Sequence, residues 1–547
     1  MKRLSLFRRP AIGSVTLSIL VVVYILILLN LSFWNNAFYV FGGFSANFYR
    51  FTAALILMIF AGTIVFSVKF VIKPFLVCLV IVAAVSSYFT DTFGVVIDKE
   101  MIRNAAVSTP QESGHLITLK FVMHVVIYGI LPSLLIILTR VHHLPFLQKF
   151  FVNMSIIVPC LGTSLGLIVF SFASISSNLR EHRDMMAKLT PFGPMTSAIS
   201  LSVSAYQSYG IVRAPLGRDA KLGPVLQQSA KPVVTVVLVG ETARAMNFSL
   251  NGYSRETNPE MKARGVVNFP NTTSCGTATA VSLPCMFSVY TRQQYSDRKA
   301  RSTDTLMDVL RNAGIDCHWW DNNTGSKGIA DFISFIDVTK KTDPLCQNGE
   351  CQDDIFLGDL DRQLDRVRKD TVIVLHQSGS HGPAYYLRYP DAYRRFQPDC
   401  RTAQLSDCTQ DEIVNAYDNT ILYTDHNVAS VIDILKKHAP ALDTAMIYMS
   451  DHGESLGENG LFLHGAPYSV APKEQTQVPF TAWFSDAYAA LTNLDIACLR
   501  KTAIKPVSHD DLFHTLLGMM NVVTSVYDPQ LDAFAQCRAL HAASATL

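Results

Sequence analysis

Three runs in the second half of the chain place an acid or an imidazole just beyond an apolar, β-branched stretch. PVVTVVLVG (232–240) leads into Glu241, TVIVLHQSG (371–379) carries His376 with His381 five residues on, and TAMIYMSDHG (444–453) ends near Asp451 and His452. Two carboxylates and an imidazole suit zinc when the fourth position stays open or is filled by a nucleophile. A fourth run supplies hydroxyls: NTTSCGTATAVSLPCMFSV (271–289) holds six Ser and Thr side chains between Thr272 and Ser282. A hydroxyl is a poor nucleophile at neutral pH. A metal that binds it stabilises the alkoxide, and the same ion polarises a phosphoryl oxygen. The combination predicts group transfer through a covalent intermediate, most naturally of a phosphoryl group. An acid after a strand is often only a helix cap, so the reading rests on several strand ends delivering ligand types together. Residue chemistry alone leaves open which hydroxyl reacts.

Those runs need a scaffold that brings their ends together. Each reads as a strand buried on both faces. GVVNFPN (265–271) reads as a shorter strand, and helical stretches lie between, at 301–313 and 412–437. Strands alternating with helices predict an α/β domain with a mainly parallel sheet over 231–547. In such sheets ligands bind at the carboxyl ends of the strands.

The first third is of another kind. Residues 10–49, 51–68, 74–90, 121–139 and 150–179 contain no Asp, Glu, Lys or Arg. A spanning helix needs roughly 20 mostly apolar residues, which assigns spans at 11–33, 50–68, 71–89, 121–139 and 153–175 within a membrane domain of residues 1–176. The first apolar run is too long for a signal peptide and is followed by more spans, so it is expected to stay uncleaved. Lys2, Arg3, Arg8, Arg9, Lys69, Lys73, Arg140 and Lys149 fall on one side, which puts the N-terminus in the cytoplasm and everything after residue 176 on the far side. The loop 90–120 faces that far side. It reads as helices near 98–106 and 110–117, the second capped by Ser108 or Thr109 with Pro110 at its first position. Residues 177–230 form a linker, broken by TPFGPM, in which SAISLSVSAYQSYG (197–210) reads either as a membrane-surface helix or as an ordinary connection.

The cysteines agree with that topology. Nine of the 11 follow residue 270, and Cys275/Cys285, Cys346/Cys351 and Cys400/Cys408 form close pairs without zinc-knuckle spacing. Paired cysteines in an exported domain read as disulfides. Cys317, Cys498 and Cys537 remain, with Cys498–Cys537 a candidate fourth bridge and at least one thiol free or buried. The net charge is +2, with no basic stripe, and nucleic acid is not an expected partner.

LVGETAR, TTSCGTATAVSLPCMFS, WWDNNTGSKG, LHQSGSHGPAYY and SDHGESLGENGLFLHG, in that order, resemble the bacterial phosphoethanolamine transferases, in particular the lipid A enzymes of the EptA type and the mobile colistin-resistance enzymes. The resemblance covers nearly the whole chain. It implies an alkaline phosphatase/sulfatase-like fold, zinc on Glu241, Asp451 and His452, and Thr279 as the nucleophile. It implies substrate contacts at His381, His464, Lys327 and Thr324, the last standing where the family has Ser. In the 90–120 loop it implies donor contacts at Asn104, Glu112 and Ser108, with Thr109 beside Ser108 as the rival hydroxyl. Plainer readings make Lys327 a solvated loop lysine, His464 a core histidine and Asn104 a surface helix residue; His376 is a further candidate. PAYYLRYPDAYRRF (383–396) reads as facing lipid headgroups or as exposed helix and loop.

The resemblance further implies an inner-membrane monomer that moves phosphoethanolamine from phosphatidylethanolamine to a lipid A phosphate. That product carries less negative charge and binds polymyxins and cationic peptides less well. Transfer to core heptose or Kdo, a lipoteichoic-type glycerol-phosphate transferase, and a non-catalytic membrane sensor or scaffold are the competing readings.

Overall fold

A computed structural model gives the fold. It describes residues 11–538 apart from 183, 209 and 348. Lys2, Arg3, Arg8 and Arg9, used above for orientation, lie outside the described residues. The chain forms two compact units: one comprises the residues up to Ile102 and Ile117–Val203, the other Arg103–Leu116 and everything from Ser204. These boundaries differ from the divisions at 176 and 230 read from hydropathy, and they assign most of the 90–120 loop's helical part to the second unit.

The first unit is helical. Ala46–Val65, Ile72–Phe93, Leu119–Leu138 and Phe146–Phe170 are each long and apolar enough to cross a membrane. Apolar side chains such as Leu20, Ile27, Leu135 and Phe151 are exposed on the unit, as expected of a lipid-facing surface. The first expected span, 11–33, is corrected: its helix stops at Leu28, and Leu31–Val40 turns away by 70°. Counting that bent pair as one span gives five. The break is stabilised by Asn30, whose Nδ2 donates to Ile25 O (3.0 Å) and Thr190 O (2.8 Å) while its Oδ1 accepts from Thr190 N (2.9 Å). An asparagine side chain thus bonds backbone groups at the break that lipid could not. The last span is also shifted, from 153–175 to Phe146–Phe170. Within Leu119–Leu138 the helix widens to π geometry over Val125–Ile130, just before Pro132. Proline has no N–H for the carbonyl four residues back, and Tyr24 Oη donates to that carbonyl, Tyr128 O, at 2.7 Å.

The second unit is built on an eight-stranded sheet. Its strands are β1 (Val233–Gly240), β2 (Val267–Thr273), β3 (Asp316–Asp321), β4 (Ser334–Asp337), β5 (Thr371–His376), β6 (Asp443–Ser450), β7 (Gln477–Phe484) and β8 (Val507–Ser508). Their order is β8-β2-β7-β6-β1-β5-β3-β4. The run β6-β1-β5-β3-β4 is parallel, whereas β7 is antiparallel to both neighbours. The sheet is therefore mainly parallel with an antiparallel insertion. The four expected strands are β1, β2, β5 and β6; β3, β4, β7 and β8 were not read from the sequence. Between β2 and β7 the register shifts between Val478 and Phe480. Pro270 and Pro479 both fall there, and neither can donate to the ladder.

β1, β5 and β6 are buried along their whole length, because helices cover both faces. One face packs Leu283, Met286, Leu310, Phe513 and Leu516 into a single core with the sheet. The 29-residue helix Gln410–His438 is closed by a capping box of Thr409 and Glu412 and ends in Lys436, Lys437 and His438, cations suited to its carbonyl end. In register, Gly240 pairs with Ser450 and His376 with Val239. The chain therefore leaves β1, β5 and β6 at one edge.

Candidate active site

That edge brings Glu241, Asp451 and His452 together. Their ligand atoms lie within 4.8 Å of one another. His452 Nε2 is 3.4 Å from Glu241 Oε1 and 3.4 Å from Asp451 Oδ2. His452 Nδ1 lies 2.9 Å from Gly453 O. A carbonyl only accepts, so Nδ1 carries the proton and Nε2 presents its lone pair to the carboxylates. All three side chains are fully buried, and neither Glu241 Oε1 nor Asp451 Oδ2 has a hydrogen-bond partner. Burial pushes both carboxyls up, with Asp451 adding to the rise at Glu241, and pushes His452 down. Buried acceptors are ordinarily paired. Two orphaned carboxylate oxygens facing an imidazole lone pair fit a divalent cation, which would reverse both carboxyl shifts and keep the imidazole unprotonated.

The hydroxyl loop is sorted by what each group bonds. Thr272, Thr273, Ser274, Thr277 and Ser282 donate to the carbonyls of Phe269, Val507, Gly276, Ala466 and Asp451. Thr279 alone of the six meets the cluster's side-chain ligand atoms: its Oγ1 donates to Glu241 Oε2 at 2.9 Å and stands 3.3 Å from His452 Nε2. It opens the helix Thr279–Met286, where free N–H groups favour developing negative charge. Cys275 and Cys285 are bonded across the loop, a closure worth about 2–3 kcal/mol on the chain-entropy view. Cys346–Cys351, Cys400–Cys408 and the candidate pair Cys498–Cys537 are also bonded, and Cys317 is buried and free.

Local backbone holds this geometry under strain. Thr242, directly after Glu241, has φ 52°, a left-handed value that costs a β-branched residue about 1–3 kcal/mol. It is fixed by Thr242 N donating to Asp451 Oδ1 (3.2 Å) and Tyr417 Oη donating to Thr242 O (2.6 Å). Gly379 (φ 55°) lies so close that a Cβ there would sit 2.6 Å from Glu241 O. This is why SGSHG needs glycine at that place.

The outer predicted residues, Ser108 apart, stand around the same cluster. His381 Nε2 is 2.9 Å from Glu112 Oε1. His464 Nδ1 is 2.8 Å from Glu454 Oε2, and its ring centre is 4.5 Å from that of His452 and 5.2 Å from that of His381. Burial opposes a charged His464, yet Glu454, with Asp451 and Glu112, outweighs it and holds the imidazole above its ordinary value. Asn104 Nδ2 is 3.5 Å from His464 Nε2. Lys327, also at positive φ (51°), donates to Thr324 O and Oγ1 at 2.7 Å, and burial lowers its amine. Thr109, not Ser108, caps the helix Pro110–Leu116: its Oγ1 accepts from Glu112 N and its N–H donates to Glu112 Oε2. Ser108 Oγ donates to Asn104 O within its own turn. His376 is bonded to Asp321 Oδ1 at 2.7 Å instead of joining the cluster's ligand atoms. In the 383–396 segment Tyr385, Arg388 and Tyr389 are buried, so much of it faces inward rather than toward lipid or solvent.

Four contributors were not read from the sequence. Asn323 Nδ2 bridges Glu241 Oε2 (2.9 Å) and Gln377 O (2.8 Å); its place within WWDNNTGSKG was the available signal. Glu454 lies two residues after His452 and orients His464. His509 accepts from Cys275 N (3.0 Å) and donates to Ser450 O (2.9 Å), joining the hydroxyl loop to β6; nothing in its neighbourhood signals this. Arg388 donates to His381 O (3.1 Å) and to Glu350 Oε1 (2.9 Å).

Comparison with known proteins accords with this architecture. Residues 234–522 match the Sulfatase family model and residues 53–206 match that of "Phosphoethanolamine transferase EptA/EptB". The chain is 40% identical over 475 residues to phosphoethanolamine transferase EptA of Escherichia coli K12, covering 85% of this chain and 86% of that protein. The chain belongs to the EptA/Mcr-type phosphoethanolamine transferases. Against the Escherichia coli phosphatidylethanolamine transferase Mcr-1 the identity is 35% over 536 residues, covering 95% and 97% of the two chains. Among solved structures, full-length lipooligosaccharide phosphoethanolamine transferase A of Neisseria meningitidis superposes with a TM-score of 0.92 at 34% identity, covering 97% of this chain and 99% of that one. A phosphoethanolamine transferase of this type thus combines the helical membrane unit and the sulfatase-like unit described above.

Proposed function

We propose that the chain transfers phosphoethanolamine from phosphatidylethanolamine to a phosphate of lipid A, through a covalent intermediate on Thr279. The observation that carries the reading is that Thr279, alone among the six hydroxyls of its loop, bonds a carboxylate of the metal-type cluster. Glu241, Asp451 and His452 would hold zinc, with Thr279 Oγ1 completing the set. Zinc bound there would lower the pKa of the threonine hydroxyl and stabilise charge on the phosphoryl oxygens.

In the first step Thr279 Oγ1, its proton lost to solvent, forms a bond to phosphorus, and the bond from phosphorus to the diacylglycerol oxygen breaks. A proton must reach that leaving oxygen, and His464, whose Nδ1 is paired with Glu454, is the group placed to supply it. In the second step an acceptor phosphate oxygen attacks, Thr279 leaves, and the acceptor retains phosphoethanolamine. His381 and Lys327 orient phosphate oxygens. The membrane unit keeps the site among its lipid substrates. Paired cysteines and the distribution of basic residues support an inner-membrane protein with a periplasmic catalytic domain. Modified lipid A carries less net negative charge, which would lower its affinity for polymyxins and other cationic peptides.

Release of diacylglycerol and phosphoethanolamine-modified lipid A by the purified full chain tests the reading. Thr279→Ala should abolish both, and Thr277→Ala should retain them. Normal transfer by Thr279→Ala would overturn the nucleophile. Modification of core sugar with lipid A untouched would overturn the acceptor.

A further inference from the structure

One end of the helical unit carries cations without acids. Lys69 lies in the turn between Ala46–Val65 and Ile72–Phe93, and Lys73 in the first turn of the latter. Arg140, His142 and His143 lie between Leu119–Leu138 and Phe146–Phe170, and Lys149 in the first turn of the latter. The ten residues before Ala11 add Lys2, Arg3, Arg8 and Arg9 to the sequence, again with no acid. The unit's acidic residues stand elsewhere along the chain. Asp91, Asp98 and Glu100 close or follow the other end of Ile72–Phe93, and Glu181 and Asp184 follow the other end of Phe146–Phe170. Asp91 is roughly 27 Å along the helix from Lys73, well beyond the ~8 Å over which exposed charges act at physiological salt.

Contacts bring the cations to one place. Lys149 is only 5% exposed, and its Nζ donates to Ser14 Oγ (2.7 Å) and Ser67 Oγ (3.0 Å). Those bonds tie the start of Ser14–Leu28 and the 66–71 turn to the start of Phe146–Phe170. Lys73 Nζ donates to Ile137 O (2.8 Å), and the short strand Arg140–His142 pairs with Ala11–Gly13. Burial lowers the His143 imidazole, and Lys149, Lys69 and Lys73 lower it further, so one ring between the spans feels three ammonium charges. An ionised side chain buried in a membrane protein ordinarily pairs with an opposite charge. Lys149 and Lys73 bond only hydroxyls and a carbonyl, while Lys69 and Arg140 are exposed with no carboxylate partner among the described residues. Phe70, Phe146 and Leu147, neighbours of these cations in sequence, are strongly exposed apolar groups.

We infer that this end of the helical unit binds a phospholipid with a net negative headgroup. Lys69, Lys73 and Arg140 meet its phosphate, Lys149 adds charge from beneath, and Phe70, Phe146 and Leu147 flank its acyl chains. A zwitterionic headgroup brings its own cation and leaves the cluster's charge in place. The lipid is held and not consumed, so the inference stands apart from the transferase reading. On the orientation proposed above, it belongs to the cytoplasmic leaflet, where anionic lipids are attracted to basic residues beside spanning helices.

The test is native mass spectrometry of the full chain, stripped of lipid in detergent and titrated with phosphatidylglycerol, cardiolipin or phosphatidylcholine of matched acyl chains. Each Lys or Arg at such a surface is worth roughly fivefold in affinity for an anionic lipid. Phosphatidylglycerol and cardiolipin should therefore bind on the order of a hundredfold more tightly than phosphatidylcholine. Lys69→Gln and Arg140→Gln should each weaken phosphatidylglycerol roughly fivefold, and the triple variant with Lys73→Gln should approach phosphatidylcholine. Lys99→Gln, beyond the other end of Ile72–Phe93, should change nothing. Lys149 is kept in all variants, because its bonds to Ser14 and Ser67 hold the segments together. Equal binding of phosphatidylglycerol and phosphatidylcholine by the wild type would overturn the site, and that comparison needs no variant to fold. An undiminished preference in the triple variant would place the anionic lipid elsewhere and overturn it. So would a loss in Lys99→Gln equal to that in Lys69→Gln, which would mark attraction to charge in general.

Discussion

Glu241, Asp451 and His452 follow the ends of adjacent parallel strands and are fully buried, whereas Glu112, Lys327, His381 and His464 stand on loops and on a short helix. The first group is positioned by sheet register, since Gly240 faces Ser450 across β1 and β6. The second is positioned by side-chain pairs between distant segments: Glu112 with His381, Glu454 with His464, Glu350 with His115 and Arg388. A backbone ladder sets a rigid centre that tolerates no change of ligand type. Side-chain pairs set a rim that each substitution weakens by a finite amount.

The largest expected effect breaks the centre. Glu241→Gln and Asp451→Asn should each lose bound zinc in metal analysis of the purified chain and lower transfer on the order of a thousandfold or more. Full metal occupancy in both variants would remove the cluster's assigned role. At the rim, Glu112→Gln and His381→Asn each delete one charge-assisted contact. They should cost roughly ten- to a hundredfold in kcat/KM with metal content unchanged. Loss of metal in either variant would erase the distinction between the two regions.

His509 sharpens the comparison through stability. Burial holds its imidazole at about 3 in the folded chain, against roughly 6.5 when unfolded. Between those values the unfolded chain binds the additional proton, so stability falls as pH drops from roughly 6.5 toward 3. Thermal midpoints of the wild type and His509→Asn across that window should differ in slope, the variant losing less as pH falls. Equal slopes would mean that His509 does not remain neutral in the fold.

The smallest effect is expected at Ser108. Its hydroxyl bonds the Asn104 carbonyl within its own turn, so Ser108→Ala should change stability by no more than about 0.5 kcal/mol and leave transfer nearly unaltered. A loss as large as that of Glu112→Gln would place Ser108 among the working rim residues.

The same division explains what could be read from the sequence. β1, β5 and β6 are continuous apolar runs, so their strand ends, and hence Glu241, Asp451 and His452, were legible from pattern alone. Thr279 was not separable from Thr277 by composition. Only the structure shows one on Glu241 and the other on a carbonyl. The rim residues Asn104, Glu112 and Lys327 came from family likeness, because ion pairs across hundreds of residues leave no periodic trace. His509 escaped because its hydrogen bonds to Cys275 and Ser450 likewise join segments far apart in sequence. The bend near Asn30 escaped because hydropathy measures how apolar a stretch is, not whether one polar side chain has broken it.

Peptide mapping by mass spectrometry of the full chain, quenched during turnover with phosphatidylethanolamine, tests the central claim most directly. The account predicts a phosphoethanolamine adduct on the disulfide-bonded segment 275–285, localised to Thr279 and absent from Thr277 and Ser282. An adduct on another residue, or transfer at full rate with no adduct on this segment, would contradict it.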